Sequence, residues 1–462
     1  MKLTVLGGGG VRIPALVRAV IAGRPTAFES IDLFEPDPVR RETLGRLSVE
    51  LAAALGRPGV VSITGDVEEA LTDTDYVFSA IRVGGDQGRI IDEQVALRRG
   101  LVGQETTGPG GCAMALRTIP VVLDYCETLA RVAPNAVLIN FTNPAGTITQ
   151  AISSHSGVKA VGVCDTPSGA IRRIGQYLGA EPAHVGYSYG GLNHLGWISS
   201  IVVDGEEHID EILAGYEGLA AFDHRFAAFD PALVRRVGAI PTEYVYYFYD
   251  ADAYVAGVTH AGASRGQDVA RFNEAVLTGI GRGFDGGDVR DAWANYSRVM
   301  GARRGSYMRI DVEGKGAYDG DAPAPEAEPL ETSDGGIGGY EGVALQVIDG
   351  LSGAKPGRVI VNVRNDSTQP WLDPDDVLET PALIDPSGIR PLAGEALSPP
   401  ARGLVLQVKA YERAVVDAAV TGDAELAALA LSLHPLVPGL STARALLADY
   451  REEHGETLAY LR

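Results

Sequence analysis

Short apolar runs that end in glycine or in a polar turn recur along the first third of the chain. Residues 2–6, KLTVL, run straight into Gly7-Gly8-Gly9-Gly10, and apolar positions at helical spacing follow over about 14–22. A buried strand, a tight turn and an amphipathic helix account for that order. The pattern then repeats. Ser30–Phe34 ends in Glu35-Pro36-Asp37, Tyr76–Ile81 precedes RVGGDQGR, an Ala- and Leu-rich helix occupies about 112–132, and VLINF (137–141) leads into TNPAG. Apolar strands alternating with helices predict a parallel doubly wound sheet. After about residue 155 the alternation loosens into long helices, with a strongly helical stretch at 401–432. Segment 314–336 is rich in Gly, Pro, Asp and Glu without apolar periodicity, and reads as a mobile surface loop of the kind that forms lids.

Length and charge narrow the picture. A chain of 462 residues exceeds one ordinary core, so two domains or one elaborate α/β unit is expected. The net charge of −21 repels nucleic acid and anionic membranes. An anionic small substrate would need a local arginine site; only five of the 39 basic residues are lysine. Three cysteines, Cys112, Cys126 and Cys164, are odd in number and lack CxxC spacing, which argues against a disulfide framework and for a cytoplasmic protein. The N-terminal apolar run is too short for a signal peptide, and no run approaches a membrane span.

Five places carry candidate chemistry. The run Gly7, Gly8, Gly9, Gly10 sits between strand and helix, where close backbone approach and a helix N-terminus suit a pyrophosphate. It departs from a strict GxGxxG, since Arg12 stands at the third glycine position, and a ligand-free tight turn fits the same residues. Glu35, 28 residues after Gly7 at the end of the second strand, can accept ribose hydroxyls, which favours NAD over its 2′-phosphorylated form. Asn143-Pro144 follows the carboxyl end of a strand, a position for a ligand contact or simply a turn. Cys164, beside Asp165 after VGV, and His194, 30 residues on in GGLNHLGW, form a workable metal pair, although a lone histidine is more often structural. The aromatic cluster EYVYYFYD (243–250) reads first as helix packing. One of its tyrosines can serve as a base where a positive charge lowers its pKa.

The stretches VGGDQGRIIDEQVALRRGLVGQETTGPGG (83–111), NFTNPAG (140–146), VGVCDTP (161–167) and YGGLNHLGW (189–197) together resemble glycoside hydrolase family 4, the NAD- and manganese-dependent phospho-glycosidases. The resemblance runs from the N-terminal glycines to SLHPLV (432–437) and lies nearer the 6-phospho-β-glucosidases than the α-specific or galacturonate-specific branches. It implies a fold like that of lactate and malate dehydrogenases: a Rossmann-type α/β dinucleotide-binding domain over 1–155, then an α+β substrate and metal domain over 156–462. It also implies Cys164 and His194 as ligands of Mn2+ or another divalent metal, Arg89, Asn143 and Arg265 as substrate-binding residues with Arg89 on the phosphate, and Tyr244 as catalytic base. Glu105 would make Tyr244 more basic, and Asp165 falls where some members place a proton donor. The chemistry implied is redox-neutral: oxidation at sugar carbon 3, proton removal at carbon 2, loss of the aglycone, addition of water, and return of the hydride. A homodimer or homotetramer is expected. Two departures stand out: GGGGVRIP replaces a hydroxyl-bearing GGGSSYTP-like pattern, and Asp165 replaces the asparagine of the β-specific branch. Other family 4 linkages and a plain hydroxy-acid dehydrogenase are the competing readings; the latter requires net NADH release and no Cys164. A non-catalytic NAD-binding sensor would leave the metal pair, Tyr244 and Arg89 without a joint purpose.

Overall fold

The structure is a computed structural model that describes residues 1–23, 27–285, 287–308, 325–330, 339–394 and 397–462. Thirteen strands form one sheet: β1 Lys2–Leu6, β2 Ser30–Phe34, β3 Val61–Thr64, β4 Tyr76–Ser79, β5 Val137–Asn140, β6 Lys159–Gly162, β7 Val185–Leu192, β8 Leu195–Val203, β9 Glu206–Glu207, β10 Ile240–Pro241, β11 Gly357–Arg364, β12 Val377–Asp385 and β13 Gly388–Pro391. Strands β1 to β6 are all parallel, in the spatial order β3-β2-β1-β4-β5-β6. That is the Rossmann order, whose direction of winding reverses between β1 and β4 and opens a crevice at their carboxyl ends. Beyond β6 the sheet continues through antiparallel β11, β12, β7, β8 and β10.

Alternation along the strands sets the two faces. Leu3 and Val5 of β1 pack with Leu16, Val17, Val20 and Ile21 of the helix Ile13–Gly23, while Leu6 joins Val77 of β4 and the helix Pro109–Val132 on the other side. A third cluster gathers Val11, Leu47 and Leu51 with Val276, Ile280, Trp293 and Tyr296 from the helices Arg265–Asp285 and Val289–Gly305, which brings those helices to the glycine turn.

The loop carrying GQETTG is fixed by charge. Arg117 grips Asp92 through Nη1 at 2.5 Å and Nη2 at 2.7 Å, both side chains 1% exposed, and joins the helices Gly85–Arg98 and Pro109–Val132 that flank the loop. A bidentate pair with both partners desolvated offsets its burial only while both remain.

Two predicted features take a different form. Strands β11 and β12 stand where only loosened pattern was expected after residue 155; consecutive antiparallel strands joined by a short connection have no helix between them to mark the alternation. The helical stretch 401–432 is two helices, Pro399–Thr421 and Ala424–Leu433, broken where Gly422 takes φ of +74°. Of the loop 314–336, residues 314–324 and 331–336 lie outside the described residues. In between, the carbonyls of Pro329 and Leu330 accept hydrogen bonds from Arg18, and Leu330 is buried.

Candidate functional site

One cavity of about 1040 Å³ spans the crevice and brings together every singled-out residue except Gly8 and Gly9. Those two act in packing: a Cβ on Gly8 would sit 2.6 Å from Leu33 Cβ, and one on Gly9 would sit 2.6 Å from Glu35 Cγ. Gly7 needs its left-handed φ of +85°, and its Cβ would lie 2.8 Å from the Ala80 carbonyl oxygen. The amides of Gly7 and Gly8 donate to the Phe34 carbonyl at 3.0 and 2.7 Å, which pulls the turn onto the end of β2. Glu35 is tied there too, accepting from the Gly9 amide at 3.0 Å and the Asp37 amide at 3.1 Å. Gly7, Gly10 and Glu35 line the cavity, and the helix Ile13–Gly23 starts just behind them. A tight backbone cradle, a helix N-terminus and an acid at the end of β2 fit a dinucleotide.

Cys164 lies two residues past β6, 5% exposed, before the helix Thr166–Tyr177. Burial pushes its thiol well up, and the charges of Glu379 and Asp165 add to that. Three groups able to carry negative charge thus crowd together, an arrangement a divalent cation would relieve. His194 occupies the β7–β8 turn at φ of +63°. Its Nδ1 lies 2.7 Å from Thr106 Oγ1, which lies 2.9 Å from Gln104 Oε1. That Gln104 oxygen accepts from the amides of Thr106 and Thr107, both at 2.7 Å, so it is an acceptor and takes the Thr106 hydroxyl proton as well. The hydroxyl is left to accept from His194 Nδ1–H, and the free lone pair is on Nε2. Burial pushes the imidazole down to about 4, so it is neutral at pH 7. One thiol and one neutral imidazole nitrogen on the same cavity fit a metal held by two protein ligands with positions open for substrate. No group of three or more His, Cys, Asp or Glu suited to a metal occurs among the described residues.

Tyr244 is in the short turn Glu243–Val245, with its ring stacked on His194 at 3.7 Å between centroids and 2° between planes. Burial and the charge of Glu105 push its phenol up, while a hydrogen bond from Tyr307 pulls it down. Burial alone would raise Glu105, but Arg89 and Arg82, with Nη1 atoms at 3.0 and 2.7 Å, outweigh it and hold the carboxyl well below its ordinary range. Arg89 is held from two sides, with Nε also 2.8 Å from Glu93 Oε1. Arg265 opens the helix Arg265–Asp285 and donates to Ser306 Oγ at 2.8 Å. Asn143 and Asp165 complete the lining. Eleven arginines and eight carboxylates line the cavity among the described residues, so it is locally cationic in a chain of net charge −21. Such a surface attracts an anionic ligand.

The family model described as Family 4 glycosyl hydrolase matches residues 2–180, and that of the Family 4 glycosyl hydrolase C-terminal domain matches residues 189–437. The chain belongs to glycosyl hydrolase family 4. A probable 6-phospho-beta-glucosidase of Bacillus subtilis is 29% identical over 463 residues, covering 98% of this chain and 96% of the relative. A 6-phospho-beta-glucosidase of Thermotoga maritima is 28% identical over 460 residues, covering 99% of each. A structure of the Thermotoga maritima 6-phospho-beta glucosidase with manganese, NAD+ and glucose-6-phosphate superposes with a TM-score of 0.80 at 26% identity, covering 99% of both chains. A 6-phospho-alpha-glucosidase of Lacticaseibacillus paracasei is 25% identical, covering 97% of this chain and 96% of the relative.

Several residues in or behind the cavity wall carry no signal of their own in the sequence. Thr106 lies inside GQETTG beside Glu105, where nothing local marks it as the partner of His194. Arg303, pushed down by burial and by the facing charges of Arg12, Arg265, Arg89 and Arg82, comes from the helix Val289–Gly305. Glu379 on β12 accepts from Tyr189 Oη at 2.5 Å and from Asn193 and Asn362 at 3.1 Å, directly behind the His194 turn. Glu243 sits one residue before Tyr244, and Tyr307 follows the helix Val289–Gly305. No spacing rule links residues that meet only through the fold.

Proposed function

We propose that this family 4 enzyme hydrolyses 6-phosphoglycosides, 6-phospho-β-glucosides foremost, by oxidation, elimination, addition and reduction with no net redox change. The reading rests on Tyr244 stacked on His194 in the same cavity as Cys164 and the glycine turn. It is supported by relatives and a matched structure named as 6-phospho-β-glucosidases over almost the whole chain. Residues 1–155 provide the cofactor side and 156–462 the metal and base. When bound, NAD supplies the hydride acceptor and donor for sugar carbon 3, and a divalent cation, Mn2+ foremost, supplies polarisation of the neighbouring sugar oxygens.

The chain's own residues do the rest. Gly7 and Gly10 with Glu35 would hold the cofactor, and Cys164 and His194 would hold the metal. Arg89, Arg265 and Asn143 orient the sugar, with the phosphate on the cationic wall. Once carbon 3 is a ketone, the carbon 2 proton becomes acidic, and Tyr244 Oη removes it. Glu105 keeps that oxygen basic, consistent with its charge raising the phenol. Asp165 donates a proton to an unactivated leaving oxygen. Incubation with NAD, Mn2+ and a panel of α- and β-linked 6-phosphoglycosides tests the reading. Hydrolysis of the β-linked members without NADH accumulation is expected. Preference for an α-linked phosphodisaccharide overturns the linkage alone, and stoichiometric NADH without hydrolysis overturns the reaction class.

A further inference from the structure

The helix Thr166–Tyr177 starts directly after Asp165, and its first two turns run along the cavity wall. Asp165, Gly169, Arg172 and Arg173 are spaced three and four residues apart, so they share one face, and all four line the cavity. Arg173 folds back along that face: a Cβ on Gly169 would lie 3.3 Å from its Nη1 and 3.7 Å from its Cζ. At a rise of about 1.5 Å per residue, Gly169 stands about 6 Å along the helix from Asp165, the span of one sugar or aryl ring. Arg225, beyond the helix Tyr216–Phe222, lines the cavity as well. Asp223 joins the two arginines, with Oδ1 2.8 Å from Arg225 Nε and Oδ2 3.6 Å from Arg173 Nε, while Glu243 Oε1 is 3.9 Å from Arg173 Nη2. Both contacts of Arg173 are too long for hydrogen bonds, and its buried Nε has no hydrogen-bond partner among the described residues. Arg172 is exposed and has neither an ion pair nor a hydrogen bond among them. Three guanidinium groups thus meet two carboxylates, with one buried donor unused. A buried donor without an acceptor is costly, and an incoming anion would supply one.

We propose that Arg172, Arg173 and Arg225 form an aglycone subsite that selects leaving groups carrying a carboxylate. The inference rests on the proposed function, in which Asp165 faces the leaving oxygen and the phosphate lies on the wall of Arg89 and Arg265. In a pyranose, carbon 1 and carbon 5, which bears carbon 6, flank the ring oxygen. Aglycone and 6-phosphate therefore point apart and call for separate sites. Asp165 marks the aglycone side, and the helix that follows it carries Arg172 and Arg173. A guanidinium forks onto a carboxylate through two parallel N–H···O bonds, a match that a neutral amide or hydroxyl cannot make. With Asp223 and Glu243 set against three cations, one positive charge is left over, which a monoanion balances. The subsite fits a ring-sized aglycone whose acid group stands about one ring, or about 6 Å, from the glycosidic oxygen.

The test compares meta-carboxyphenyl and meta-carboxamidophenyl 6-phospho-β-glucosides, nearly equal in size and different by one charge. Each is titrated calorimetrically into the full chain with Mn2+ and NADH, which fills the cofactor site but cannot accept a hydride, so binding is read without turnover. Wild type should bind the carboxylate roughly 10- to 100-fold more tightly than the amide. Arg173→Gln should remove most of that preference. Arg172→Ala should reduce it by about 2- to 5-fold, as expected of an exposed cation, and Arg172→Glu should reduce it further. Arg172→Lys should restore it. Arg172 is at the surface, so its variants carry the test if the Arg173 variant does not fold. Equal affinity of wild type for the two glycosides overturns the inference. An equal loss for both glycosides in Arg172→Glu overturns it too, because it places the 6-phosphate at this end of the cavity. Cleavage is followed separately with NAD: glycosides bound with the preference but never cleaved overturn the proposed reaction, and glycosides cleaved without the preference overturn the subsite.

Discussion

Replacing Thr106 with valine removes one hydroxyl and little volume, yet the geometry places that hydroxyl at the hinge of the metal site. Its loss leaves Gln104 Oε1 with the amides of Thr106 and Thr107, so the GQETTG loop keeps its anchor. His194 Nδ1, 2.7 Å from the missing oxygen, is left without that partner in a residue 7% exposed. A buried donor deprived of its acceptor costs about 1–3 kcal/mol, and the ring is then free to place its proton on Nε2, the nitrogen needed for the metal. Losing an outer partner of a metal-bound histidine weakens metal affinity by roughly 10- to 100-fold, or about 1.4–2.7 kcal/mol, so the two estimates agree. Calorimetric titration of Mn2+ into the NAD-saturated protein should show that loss for Thr106→Val, recovery in Thr106→Ser, and unchanged NAD affinity in both. Wild-type Mn2+ affinity in Thr106→Val, alongside a large loss in His194→Ala, would refute the claim that Thr106 orients the histidine.

Arg89→Ala should raise KM for a 6-phosphorylated substrate far more than for its unphosphorylated analogue, by roughly 10- to 150-fold, and equal effects in steady-state assays would remove Arg89 from the phosphate. The same variant leaves Glu93 and Glu105 short of a buried partner, so its urea midpoint should fall as well. Asp165→Asn should slow 6-phosphocellobiose strongly and the nitrophenyl substrate little; equal slowing would make Asp165 an organiser of the metal site rather than an acid. His434, 2% exposed and pushed by burial from 6.5 down to about 3, takes up a proton in the unfolded chain before the folded one. Its contribution to stability is present above pH 6.5 and is lost as pH falls toward 3, at about 1.4 kcal/mol per pH unit. Urea unfolding of His434→Phe should therefore lose less stability than wild type between pH 6.5 and 4.5, by about 2–3 kcal/mol.

Most of the parallel half of the sheet was legible because its apolar runs end in polar or glycine turns, which puts Gly7, Glu35, Asn143 and Cys164 at strand ends before any geometry is known; β3, VSIT, with Ser62 exposed, offers no such run. His194 was legible as a turn residue for a similar reason, being flanked by Gly190, Gly191 and Gly196. The antiparallel half was not. Strand β12 reads VLETPALID, where Pro381 and Glu379 interrupt the apolar pattern; buried Glu379 is satisfied by Tyr189 of β7, Asn193 of the β7–β8 turn and Asn362 of β11. Tyr244 looked like one of four equivalent tyrosines. Stacking on His194 distinguishes it from Tyr246 and Tyr247, which are buried in the core. Tyr307 and Glu243 carry no local signal, since a hydrogen bond 64 residues apart is a property of the packed helices.

The central claim is that Tyr244 removes the proton from carbon 2 during a reaction that neither consumes nor releases net NADH. Hydrolysis of an unlabelled 6-phospho-β-glucoside in deuterated water tests it most directly, with the glucose 6-phosphate read by NMR and absorbance at the NADH band followed throughout. The account predicts deuterium at carbon 2, no accumulation of NADH, and loss of most turnover with retained substrate affinity in Tyr244→Phe. Product with hydrogen only at carbon 2, formed at an undiminished rate by Tyr244→Phe, would contradict it.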